Sequence, residues 1–134
     1  MVNVLLVDTL PGDTRPFRRA LRGLNGGAKT VDELSTATRE VTTVKYDLIC
    51  VVPYLDDNGK DPTEVGLDVI KATRAPGSVN YHTPVLALMV DGLVDDTLVC
   101  EQTSGLEKVV ALNVPVPHNS AVNYKEILKP YLTE

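Results

Sequence analysis

The side chains best suited to chemistry are few, and most fail on spacing. Asp56-Asp57-Asn58-Gly59-Lys60-Asp61 crowds carboxylates into a short polar stretch and invites a calcium loop. Setting Gly59 as that loop's glycine puts Asp56 and Asn58 at ligand positions, but the first ligand becomes Tyr54 and the closing bidentate one Val65. Neither suits a hard cation, so the stretch reads as a solvated loop. Gly23-Leu24-Asn25-Gly26-Gly27-Ala28-Lys29-Thr30 has the glycines of a phosphate cradle without its spacing. It follows a helical pattern and precedes a strand, the reverse of what brings an anion to a helix N-terminus, and so reads as a helix stop and a turn. His82 and His118 lie apart in proline-flanked loops, without a carboxylate or thiol at ligand spacing, and read as surface histidines. Cys50 and Cys100 form no Cys-x-x-Cys. Cys50 sits in an apolar run as a small hydrophobe, and both read as reduced thiols of a cytoplasmic protein. One carboxylate remains in a telling place: Asp8, closing the run Val2–Val7.

The elements that would position these residues alternate between two periods. Val2–Val7 is a short, unbroken apolar run, the signature of a strand buried on both faces. Phe17, Ala20, Leu21 and Leu24 then fall at helical spacing over Pro16–Leu24, with proline in the first turn and Gly23 or Gly26-Gly27 to end it. Ala28–Leu34 reads as a second strand, and Ser35 or Thr36 caps a threonine-rich helix running to about Val44. Tyr46–Val52 is the third strand, stopped by Pro53; a polar loop, Asp56–Glu64, leads to a helix over Gly66–Ala75 with Leu67, Val69 and Ile70 inward. Pro84–Val90, a helix near Asp95–Gln102, Glu107–Val114 and a final helix over Ala121–Leu132 complete the series. Five strands alternating with five helices predict an α/β fold: a three-layer, doubly wound parallel sheet with right-handed crossovers. In such a sheet the site lies at the carboxyl ends of the strands, beside the switch in strand order. That directs attention to Asp8-Thr9, Val52-Pro53, Met89-Val90 and the end of the fifth strand.

Composition narrows the function classes. The chain has 134 residues, 43% hydrophobic and 23% charged, as for one globular domain over 1–134. A net charge of −5 is no footprint for nucleic acid or anionic lipid, and one Phe, five Tyr and no Trp make a poor stacking platform. No apolar run approaches a membrane span. Direct nucleic-acid binding and membrane insertion are therefore not expected.

The strand ends, taken with their approaches, resemble a response-regulator receiver (CheY-like) domain over essentially the whole chain. Val4-Leu5-Leu6-Val7-Asp8 is similar to the family's opening strand, and Tyr46-Asp47-Leu48-Ile49 to the lead-in of its phosphoacceptor strand. Gly66-Leu67-Asp68-Val69-Ile70 resembles the helix after the phosphorylation loop; Arg74-Ala75-Pro76, then Thr83-Pro84-Val85-Leu86-Ala87-Leu88, resembles the approach to the fourth strand. The resemblance implies the strand order 2-1-3-4-5. It also locates the family's chemistry, a carboxylate that accepts a phosphoryl group beside Mg²⁺. Asp8 matches the first acid of the metal-binding pair, but Thr9 stands where the second belongs. The phosphoacceptor position is Val52 and the Thr/Ser position is Met89. The Lys position falls on Leu112, or on Val114 if the strand end carries an insertion.

By that correspondence the pocket is degenerate. Valine has no nucleophile, and a hydroxyl with a lone carboxylate makes a poor Mg²⁺ site. Asp56 and Asp57 cannot stand in as acceptors without fixed positive charge nearby. Val52, Met89 and Leu112 or Val114 are expected to pack instead as a small apolar cap beside Asp8. The resemblance also makes Val114-Pro115 a candidate cis bond. The expected function is a non-catalytic signalling module: a pseudo-receiver without cofactor or metal, acting by phosphorylation-independent contact with a protein partner or a second copy. Its contact face would be the fourth helix, fifth strand and fifth helix, with Leu98, Val99, Tyr124, Ile127 and Tyr131 as candidates. The alternative is a small-ligand-binding or enzymatic flavodoxin-like domain using the loop 53–64. Against a flavin, Asp8 and Asp13 would repel its phosphate.

Overall fold

The computed structural model describes residues 2–8, 15–24, 26–55, 59–90, 92, 94–114 and 123–132. Thr9, residues 56–58, the Val114-Pro115 bond and His118 lie outside them. The chain alternates β1 (Val2–Val7), α1 (Arg15–Gly23), β2 (Gly26–Val31), α2 (Leu34–Thr43), β3 (Leu48–Val51), α3 (Pro62–Thr73), β4 (Val85–Val90), α4 (Asp96–Thr103), β5 (Val109–Val114) and α5 (Tyr124–Leu132). All neighbouring strands are parallel, in the order β2-β1-β3-β4-β5. The expected fold class and strand order are both observed. Because the order reverses once, right-handed crossovers put α1 on one face and α2, α3 and α4 on the other. The helix pairs agree: α1 packs on α5, α2 on α3 and α3 on α4. Phe17 and Tyr124 join the first pair edge to face, with centroids 5.7 Å apart.

The core is the sheet itself. β3 and β4 are buried at every position, as their unbroken apolar runs require. Several boundaries differ from expectation, three of them for a clear local reason. β2 starts at Gly26, so Gly26-Gly27 opens a strand; the register Val2↔Gly26 to Val7↔Val31 draws the glycines alongside β1. α2 begins at Leu34 after Glu33, whose side chain makes no cap bond, so Ser35 and Thr36 lie inside the first turn. α3 begins at Pro62 rather than Gly66: Asp61 caps it, its carboxylate accepting from the Thr63 N–H at 3.0 Å, with proline in the first turn. Asp61-Pro62-Thr63-Glu64 is a helix-start signature legible in the sequence.

Candidate functional site

The parallel sheet gathers the carboxyl ends of β1, β3, β4 and β5 along one rim, where the strand order reverses between β1 and β3. Asp8 follows β1 directly and is 3% exposed, its N–H donating to Val31 O at 2.9 Å. Val52 follows β3 and is fully buried. Its N–H donates to Val7 O at 2.8 Å and its carbonyl accepts from Tyr54 N–H at 2.7 Å. The register Val7↔Val51, carried one residue further, sets Val52 beside Asp8 on the same face. The loop beyond folds back onto α3. Leu55 N–H donates to Pro62 O at 3.0 Å, and the Leu55 side chain is fully buried. Gly66 lies flat against this turn: a Cβ there would meet the Pro53 backbone, 2.5 Å from its carbonyl carbon, and Tyr54 N at 2.8 Å.

Across the sheet the expected apolar cap is split. Leu88 pairs with Leu112, Met89 with Asn113 and Val90 with Val114. Alternation then puts Leu112 and Val114 on the Val52 face and Met89 on the opposite face with Asn113. Met89 is a 5% exposed core residue, Val114 is buried and Leu112 is half-buried. Asn113, the register partner of Met89, was not singled out by sequence reasoning. Among the described residues of this rim, Val52 presents methyl groups beside Asp8, whereas Mg²⁺ wants several oxygens in octahedral array. Among the described residues no cluster of His, Cys, Asp and Glu is arranged to hold a metal.

The richest polar chemistry lies at the other end of the sheet, where it is structural. Arg74, 8% exposed, donates from Nε to Glu107 O at 2.7 Å, from Nη1 to Asn80 O at 3.0 Å and from Nη2 to Thr83 O at 2.5 Å. Asn80, fully buried, accepts from Tyr46 N–H at 2.9 Å and donates to Val41 O and Val44 O at 2.8 and 2.7 Å. The network satisfies buried carbonyls at the start of β3, β4 and β5, with burial pulling the Arg74 guanidinium below its ordinary value. It also shortens β3, because Tyr46 N–H goes to a side chain rather than a ladder. Nearby, Glu40 accepts from Tyr46 OH and pairs with Lys29, both at 2.7 Å. The Lys29 bond first, and then the Tyr46 bond, hold its carboxyl below the usual range. His82 is at the surface as expected, but folding brings it a carboxylate: Nδ1 lies 2.8 Å from Glu107 Oε2. Cys50 is buried, which pushes its thiol up; Cys100 is exposed, and both are free.

The expected contact face needs correction at two residues. Val99 is fully buried and Tyr124, 7% exposed, meets Phe17 edge to face, so both belong to the core. Leu98, Ile127 and Tyr131 are half-buried, and β5 adds Val110, an exposed edge-strand apolar residue that sequence reasoning missed. A groove of about 250 Å³ between α3 and α4 is lined by Glu64, Leu67, Asp68, Lys71, Leu98 and Gln102. No described helix is long and apolar enough to cross a membrane.

Among solved structures the chain is similar to a response regulator from Hahella chejuensis: 28% identity, 98% of this chain and 92% of that one, TM-score 0.65. It is also similar to the receiver domain of a sensor histidine kinase from Pseudomonas aeruginosa with magnesium coordinated in its active-site cleft: 21% identity, 97% and 93% coverage, TM-score 0.68. A CheY-like receiver domain from Methylobacillus flagellatus matches at 17% identity, 98% of both chains and TM-score 0.64. No protein-family model and no curated protein matches. The fold is flavodoxin-like, of the receiver type.

Proposed function

We propose that this chain is an atypical receiver, a signalling module that works through protein contacts and without phosphorylation. One observation carries the reading: Val52 fills, fully buried beside Asp8, the position where the resemblance puts the phosphoacceptor. An acyl phosphate needs a carboxylate to form on, and its charge needs a metal and a cation to offset it. The partner would meet the α4–β5–α5 face at Leu98, Val110, Ile127 and Tyr131. The ligand-binding alternative finds less support, because residues 53–55 and 61–64 of that loop go into packing and capping α3.

Treatment with acetyl phosphate, or with beryllofluoride, in the presence of Mg²⁺ tests the reading. The intact mass and the amide NMR spectrum should not change. Val52→Asp alone should not take phosphate either, since it restores the nucleophile without the charges around it. A stoichiometric acid-stable, base-labile phosphoprotein from the parent chain would overturn the proposal.

A further inference from the structure

The helical layers on the two sides of the sheet carry opposite charge. α1 and α5 pack together on one side, and α3 and α4 on the other. On α1, Arg15, Arg19 and Arg22 recur at four- and three-residue spacing, on the side away from Phe17, Ala20 and Leu21, and all three are exposed. Lys125 and Lys129 form a second exposed row on α5. That row borders α1, because the Lys125 Nζ lies 3.2 Å from where a Gly23 Cβ would stand. Arg18 lies on the β2 side of α1 and belongs to neither row. Among the described residues no carboxylate pairs with the cations of the two rows. The one acid of these two helices is Glu126.

The α3–α4 side is its complement. Glu64 and Asp68 stand exposed and four residues apart on α3, and Asp95, Asp96 and Glu101 are exposed at the start and along α4. Asp95 N–H lies 3.4 Å from Thr63 Oγ1, which brings the two acidic helix starts together. The bases of these stretches are Lys60 and Lys71. A groove of about 250 Å³ runs between the helices, walled in part by Glu64, Asp68, Leu67 and Leu98. Like charges four residues apart repel, so Arg15 with Arg19, Lys125 with Lys129 and Glu64 with Asp68 each disfavour their own helix. Opposite charge from outside offsets that repulsion.

We propose that a second copy of this chain docks head to tail, laying its α1–α5 face along the α3–α4 groove. The arginine stems cover Leu67 and Leu98 while their guanidinium heads reach Glu64 and Asp68. Charge complementarity names the occupant, since the basic rows and the acidic one share a four-residue pitch and belong to one molecule. The two faces lie on opposite sides of the sheet, so a seated copy leaves both outer faces free. The contact is therefore heterologous, and association continues past the dimer as concentration rises. Leu98 is shared with the α4–β5–α5 face, so this stack competes with a symmetric contact there and does not rest on it.

Sedimentation velocity of the full chain over a concentration series tests it. At low salt the mean sedimentation coefficient should keep rising beyond that of a dimer. Salt at about 1 M, where the screening length is roughly 3 Å, should remove the rise. Arg19→Glu with Arg22→Glu disables the basic face, and Glu64→Lys with Asp68→Lys the acidic one. Each double variant alone should lose roughly tenfold or more of the salt-sensitive association. Mixed, the two should regain one contact, a salt-sensitive one-to-one complex and nothing larger, which a symmetric contact cannot produce. The milder Arg19→Gln with Arg22→Gln should change association in the same direction, with an unaltered circular dichroism spectrum. A double variant that associates like the parent, a mixture that regains nothing, or a parent whose association ignores salt would each overturn the proposal. So would anionic vesicles or single-stranded DNA that bind at Arg19 and Arg22 while the parent stays unassociated at low salt.

Discussion

Val52 shows how one residue type can decide a site. A β-branched apolar residue suits a fully buried strand end, and the same methyl groups give position 52 no nucleophile beside Asp8. Glu40 shows the converse, a buried carboxylate tolerated because Lys29 and Tyr46 OH both reach it. Its pKa is lower in the folded chain than the ordinary ~4.3 of glutamate. The pair's stabilisation is thus complete above that ordinary value and fades as pH falls through the folded one. Lys29 is 57% exposed, so the contribution is about 1 kcal/mol or less. Glu40→Gln should cost that much near neutral pH, and the cost should shrink below about pH 4. Denaturant melts of both proteins across pH 7 to 3 measure it; a difference that grows on acidification would contradict the sign.

At the scale of elements, the joint between β3 and α3 governs the rim. Asp61 and Pro62 start α3 a full turn before Gly66, and Gly66 then presents bare backbone to Pro53 and Tyr54. Glycine inside a helix ordinarily costs about 1 kcal/mol against alanine. Here alanine should be the worse choice, because its Cβ would meet backbone, which cannot swing aside. Gly66→Ala is expected to lose roughly 1–3 kcal/mol in denaturant melts despite its better propensity, and to shift the amides of Tyr54 and Leu55. A stabilised variant would mean that the turn moves away cheaply. β2 makes a related point, since two glycines enter a strand only because β1 supplies the whole register.

For the whole molecule, three layers leave two sheet edges and two helical faces for contact. Under the proposed reading no covalent switch acts on the α4–β5–α5 face, so it rests in one binding state. A symmetric dimer through that face is the expected assembly, with Val110 and Tyr131 buried against their counterparts. Sedimentation at high concentration should show the dimer, and Tyr131→Glu should return it to monomer. A parent chain that stays monomeric throughout would count against self-association.

The architecture was legible in the sequence because burial on both faces imposes unbroken apolar runs, and helices between them impose a second period; strands at Val2–Val7 and Pro84–Val90 needed nothing more. The expected opening of α3 falls a turn late, at Gly66, although Asp61-Pro62 carries the local chemistry of a cap. Which residues share a face was not legible. Met89 and Val114 part company through the register of β4 on β5, and Val99 and Tyr124 enter the core through helix packing. The Arg74–Asn80–Thr83 network joins residues whose types carry no period and whose partners are backbone carbonyls of distant strands. Only the tertiary fold brings such groups together, because a hydrogen bond to a carbonyl leaves no trace in the identity of the residue that accepts it.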